Sequence, residues 1–150
     1  MQIWIDGDAC PKAIKEIVFR AAMKRQVPLL LVANQFIPIP ASNWIKRIIV
    51  ESGFDKADLY IVEHVVEKDL VITSDIILAD LVVAKKAIAL NPKGMLYTPE
   101  NIKHILAMRN LNESLRSSGM ISGGGSQLNA KEIQEFSNHL DRIITQKGQS

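Results

Sequence analysis

The chain has 150 residues, enough for one domain with a sizeable core. Its 47% hydrophobic and 23% charged content is that of a globular protein, with no apolar run long enough to span a membrane. A single cysteine excludes an internal disulfide framework and a cysteine-based zinc site, and with no signal-like leader at the N-terminus the expected address is cytoplasmic. The net charge of +2 is unevenly spread: residues 1–80 carry 9 basic and 11 acidic groups, residues 81–150 carry 9 and 5. An acidic first part joined to a basic second part suits a metal cluster beside a polyanion track, although uneven solvated charge gives the same count.

In chain order, Ile3-Trp4-Ile5 is a short apolar strand bounded by Asp6-Gly7-Asp8 and by Pro11, near which a helix begins. The helix to Arg25 has a buried face of Ile14, Ile17, Val18, Ala21 and Ala22. Val27–Ala33 is nearly continuous in apolar residues, as a strand covered on both faces should be. Phe36–Pro40 alternates prolines with isoleucines and reads as an extended loop. A third strand is expected over Ile45–Glu51, and Asp55 and Asp58 open the next helix. Asp69–Thr73 is a second buried strand, ending in Ser74-Asp75. A helix over Ile76–Lys86 and a short strand over Ala87–Leu90 follow, then the turn Asn91-Pro92-Lys93-Gly94. Thr98 reads as the N-cap of a helix to about Ser117, Gly119–Ser126 as a glycine-rich turn, and Asn129 as the cap of a last amphipathic helix. Strand alternating with helix predicts a three-layer α/β domain: a mostly parallel sheet (core about 1–98), helices on both faces, and a C-terminal helical extension (about 99–146).

Two strands end in carboxylates, at Asp6 and at Asp75, with Asp8 just beyond the first and Asp58 opening the helix before the second. If those strands are neighbours, Asp6, Asp8, Asp58 and Asp75 converge at one sheet edge. Carboxylates without histidine or cysteine suit hard divalent ions, Mg²⁺ or Mn²⁺ rather than zinc. Such ions activate water and stabilise the leaving oxygen of a phosphodiester. Each Asp alone reads as a cap or a turn residue; it is the four together that point to a metal site.

The order Asp6-x-Asp8-Ala-Cys-Pro11, Val32-Ala-Asn-Gln35, Gly53-x-Asp55-x-Ala-Asp58, Asp69-Leu-Val-Ile-Thr-x-Asp75 and Asn91-Pro-Lys-Gly94 resembles the YaiI/YqxD family of bacterial proteins. The likeness runs on through Leu115-Arg116-x-x-Gly119 and Asn138-x-Leu140-Asp141. That family is similar to PIN-like nuclease domains, which implies a PIN-like fold and metal-binding roles for Asp6, Asp8, Asp58 and Asp75. The chain departs from the family pattern at Gly7 (usually Ala), Leu59 (often a second Asp), Lys93 (usually Arg), Gly125-Ser126 (commonly Gly-Pro) and Ala130-Lys131 (commonly Asp-Arg).

Around this constellation, Asn34, Gln35, Lys93, Arg109 and Arg116 are candidate contacts to base or phosphate, against turn-forming or solvated roles. Phe36 and Trp44 either stack a nucleobase or pin the proline-rich loop to the core. Cys10 reads as a small packing residue, and Asp80 as a surface charge. Glu63 and Asp69 read as a helix-surface group and a strand cap. The expected function is metal-dependent hydrolysis of nucleic acid, with single-stranded RNA as partner and a homo-oligomer as one possible state. Its competitors are a non-catalytic nucleic-acid-binding module and a haloacid-dehalogenase-type phosphatase using Asp6 as nucleophile. The phosphatase needs a late strand ending in paired acids, and Ala87–Leu90 ends in Asn-Pro-Lys instead.

Overall fold

The computed structural model describes residues 1–8, 10–52, 56–117 and 128–147, with side chains in the fourth helix up to Met108 and in the last up to Thr145. Six strands and five helices alternate along most of the chain: β1 (Ile3–Asp6), α1 (Lys12–Arg25), β2 (Leu29–Ala33), β3 (Ile45–Ile49), α2 (Lys56–His64), β4 (Leu70–Ile72), α3 (Ile76–Ala84), β5 (Ile88–Leu90), β6 (Leu96–Tyr97), α4 (Pro99–Ser117) and α5 (Ala130–Lys147). The strands form one sheet in the order β3-β2-β1-β4-β5-β6, with every pairing parallel except β5–β6.

Alternation along the strands divides the core into two. Ile3, Ile5, Leu29, Leu31, Leu70 and Ile72 point to the side where α1 and α5 pack, through Ile14, Val18, Phe136 and Leu140. Trp4, Val32, Val71 and Ala89 face α2, α3 and α4, through Ile61, Leu78, Val82 and Ile102. The α/β three-layer architecture read from the sequence is the one observed. β1, β2 and β4 are covered on both faces, which is why their sequences are apolar runs rather than alternations.

β1 ends at Asp6 as expected, whereas β2, β3, β4 and β5 come out shorter than the stretches read for them. In β2 the trimming follows from Gln26, which ends α1 in the left-handed region (φ 57), and from Pro28, which has no N–H for a ladder. The antiparallel β6, two residues long, has no counterpart among the predicted strands. Both expected caps form. Thr98 Oγ1 accepts from the Asn101 N–H at 3.0 Å and Asn101 Oδ1 from the Thr98 N–H at 2.8 Å. Asn129 and Glu132 make the same reciprocal pair at 2.8 and 3.1 Å. The predicted turn at Gly119–Ser126 and the residue Asp55 lie outside the described residues. Among the described residues, no helix is long and apolar enough to cross a membrane.

A candidate carboxylate site at the switch point of the sheet

Leaving β1, the chain builds β2 and β3 on one side, then returns to place β4 on the other side. The direction of winding therefore reverses between β1 and β4, and the crevice at the carboxyl ends of two such strands is where open α/β sheets bind ligands. Register pairs Ile5 with Ile72, so Asp6 closes β1 directly beside the Thr73-Ser74-Asp75 segment that leaves β4.

Asp6 is only 6% exposed. Its Oδ2 accepts a long hydrogen bond from Thr73 Oγ1 at 3.5 Å, and the same hydroxyl oxygen accepts the Asp75 N–H at 3.0 Å. Thr73, 1% exposed, thus ties the two strand ends together. The Asp75 carboxylate caps α3, its Oδ1 accepting from the N–H groups of Ile77 at 2.9 Å and Leu78 at 3.3 Å. Asp8 stands exposed at the rim and turns toward the end of β2: its Oδ2 accepts from the Asn34 N–H at 2.8 Å and its Oδ1 from Gln35 Nε2 at 3.3 Å. Asp58, half-buried in the first turn of α2, shares a side-chain hydrogen bond with Asp6. Two carboxyl groups make such a bond only with a proton between them.

Electrostatics follow from this crowding. Burial first, then the charges of Asp8 and Asp75, push the Asp6 carboxyl up from its ordinary 3.8 to about 6, against the pull of its bonds with Asp58 and Thr73. Burial also raises the Tyr97 hydroxyl, with a smaller push from Asp75; Asn91 Nδ2 donates to that hydroxyl at 2.8 Å. Negative charge is concentrated where β1 and β4 end.

The donor set is hard oxygen throughout, the chemistry Mg²⁺ and Mn²⁺ prefer. Among the described residues, however, no three His, Cys, Asp or Glu side chains stand together as a ready-made metal cage. The reason lies in the bonds just given: Asp8 leans on Asn34 and Gln35, and Asp75 is committed on one oxygen to α3. In chemistry the set fits a divalent ion; in arrangement it would have to close round one, and Asp8, at the exposed rim, has the room to turn.

The other singled-out residues sort as follows. Asn34 and Gln35 hold Asp8. Lys93, exposed, sits in the turn after β5, its N–H bonded to Asn91 Oδ1 at 2.7 Å, at the same end of the sheet as the carboxylates. The side chains of Arg109 and Arg116 lie outside the described residues. Asp69 is a strand cap, as expected, and Glu63 is exposed on α2. Asp80 is half-buried on α3. Burial pushes the Cys10 thiol up to about 12, which leaves it a packing residue. Phe36 is not pinned to the core: it is 67% exposed, with the Arg47 guanidinium 3.8 Å above its ring. Sequence reasoning passed over Thr73, Asn91 and Tyr97; the available signal was a hydroxyl closing an otherwise wholly apolar strand.

A family model described as "Uncharacterized BCR, YaiI/YqxD family" matches residues 4–146. A UPF0178 protein of Maridesulfovibrio salexigens is 57% identical over 145 residues, covering 97% of this chain and 96% of that protein. Another from Shewanella amazonensis is 57% identical over 144 residues, covering 96% and 97%. One from Legionella pneumophila is 52% identical, with the same coverage. No solved structure gives a significant match. With a family model matching residues 4–146 and relatives at 52–57% identity covering nearly the whole chain, the chain belongs to the YaiI/YqxD (UPF0178) family.

Proposed function

We propose that this protein hydrolyses phosphodiester bonds in nucleic acid, single-stranded RNA foremost, with Mg²⁺ or Mn²⁺ held by Asp6, Asp8, Asp58 and Asp75. The observation that carries this reading is the adjacency of β1 and β4 at the switch point, which puts Asp6, Thr73 and Asp75 in one hydrogen-bonded line. The bound ions would supply an activated water and charge stabilisation at the leaving oxygen. Among the described residues, the groups acting on buried Asp6 are carboxyl groups and a hydroxyl, which gives it the strongest demand for a cation. Thr73 fixes where its oxygen points. Gln35 and the Asn34 N–H hold Asp8 at the rim, where an incoming phosphate is first met. Lys93, beyond β5, adds positive charge at the same end.

The test is thermal unfolding with and without millimolar Mn²⁺ or Mg²⁺, paired with incubation of labelled single-stranded RNA. The expected result is a metal-dependent rise in melting temperature and RNA cleavage, both lost in Asp6→Asn and Asp75→Asn and kept in Asp80→Asn. A melting point indifferent to both ions, with RNA uncut, overturns the proposal. RNA bound but uncut makes the protein a binding module, a reading that exposed Leu59, at a place where the family often has an acid, favours. Hydrolysis of p-nitrophenyl phosphate lost in Asp6→Asn, with RNA ignored, would make it a phosphatase.

A further inference from the structure

Beside the acidic crevice lies a cavity of about 500 Å³ between α1 and residues 36–40, walled by Phe19, Ile37, Pro38 and Ile39 and edged by Lys12 and Lys15. A Cβ built on Gly7, the residue between Asp6 and Asp8, would meet Ile37 Cδ1 at 3.2 Å, so one side chain borders both places. Lys12 is the first residue of α1.

The wall is held in place before any ligand arrives. Arg47 Nη1 donates to the Ile37 carbonyl at 3.0 Å while its guanidinium covers Phe36. Ile37 and Ile39 pack against the core beneath, and Pro38 and Pro40 fix their own φ angles. The cavity is therefore preformed, within the range of about 300–1,000 Å³ usual for small-molecule sites.

Its chemistry is two-sided. The walls offer flat apolar surface; the rim offers two ammonium groups against one carboxylate, Glu16. A free phosphate would leave the walls wet, and an apolar ligand would leave the lysines unused. A flat ring carrying an anion answers both. We propose that this cavity is the subsite for one nucleotide flanking the scissile phosphate, its base against the Phe19–Ile39 wall and its phosphate on Lys12 and Lys15. The inference rests on the hydrolase reading above and names the part of the substrate that reading leaves unassigned.

The experiment titrates the full chain with adenosine and uridine 5′-monophosphates, followed by amide NMR and calorimetry, and repeats both with Lys12→Ala/Lys15→Ala. A cleavage assay on labelled octaadenylate with Mn²⁺ runs in parallel. Expected are saturable shifts confined to α1 and residues 36–40 with both nucleotides, and roughly tenfold weaker binding in the double variant. In cleavage, KM rises by the same factor while kcat holds. Lys12 is exposed and Lys15 half-buried, so an unchanged melting temperature checks that the variant is folded. Shifts confined to the ends of β1 and β4, or a double variant that binds and cleaves like the parent, overturn the subsite and leave the hydrolase standing. Nucleotide binding at the cavity with no cleavage by the parent keeps the nucleotide site and sinks the hydrolase.

Discussion

Asp6 and Asp69 are both nearly sealed from solvent, at 6% and 2% exposure, and they stand at opposite ends of the neighbouring strands β1 and β4. Asp69 accepts three N–H groups: Gln2 at 3.0 Å, the Trp4 indole at 3.0 Å and Val66 at 3.1 Å. Asp6 has a long bond from a hydroxyl and a shared one with another carboxyl group, with two further carboxylates nearby. Burial is therefore not what separates a structural carboxylate from a functional one. The supply of donors is. Asp69 ties the start of β1 to the loop before β4, whereas Asp6 is left wanting either a proton or a cation.

The sharpest break of this contrast is Asp69→Ala. It strands three donors, two of them backbone amides, and should cost about 4 kcal/mol in urea unfolding. A loss under ~1 kcal/mol would erase the contrast.

Asp6→Asn should move stability the other way. The folded carboxyl titrates near 6 and the unfolded one near its ordinary 3.8, so between these values the native state holds the extra proton. Raising pH through that window removes stability, by at most about 3 kcal/mol for a shift of this size. Asn escapes that loss, so the variant should equal the parent below pH 4 and exceed it above pH 6, when metal is absent.

Thr73→Val takes away the hydroxyl that serves both Asp6 and Asp75, at a cost of about 1 kcal/mol. Carboxyl NMR should show Asp6 titrating still higher, since a bond to its charged form is gone. The smallest effect belongs to a carboxylate that is not buried at all. Arg25 and Asp141 meet at 3.0 Å with side chains 42% and 69% exposed, so Arg25→Ala should cost under ~1 kcal/mol, shrinking further with salt.

In the sequence Asp6 and Asp69 look alike, each an Asp flanking an apolar strand. Strand position was legible because β1, β2 and β4 are buried on both faces and carry the composition that burial demands. The convergence of Asp6 with Asp75 followed once those strands were assumed to be neighbours. What supplies each carboxylate with donors was not legible, because Gln2 and Trp4 reach Asp69 across 67 and 65 residues of chain. Lys12 and Lys15 lie one turn apart on a helix, and only the folded chain brings them beside residues 37–40. β6 escaped because two residues carry no periodicity.

The position of β1 in the middle of the sheet has a consequence for how the protein is made. The first strand to emerge during synthesis is the one that needs neighbours on both sides, and its second neighbour, β4, begins 67 residues after Ile3 pairs with Leu70. Sheet growth cannot proceed outward from the N-terminus in chain order: β1 waits, half-paired with β2, until β4 inserts against its free edge. Pairing over that separation is slow compared with local helix formation. A nascent chain arrested before Leu70 should therefore hold β1–β2–β3 with an unpaired apolar edge, the species most open to aggregation or chaperone capture. The carboxylate crevice, lying on the seam between β1 and β4, comes into being only when β4 inserts.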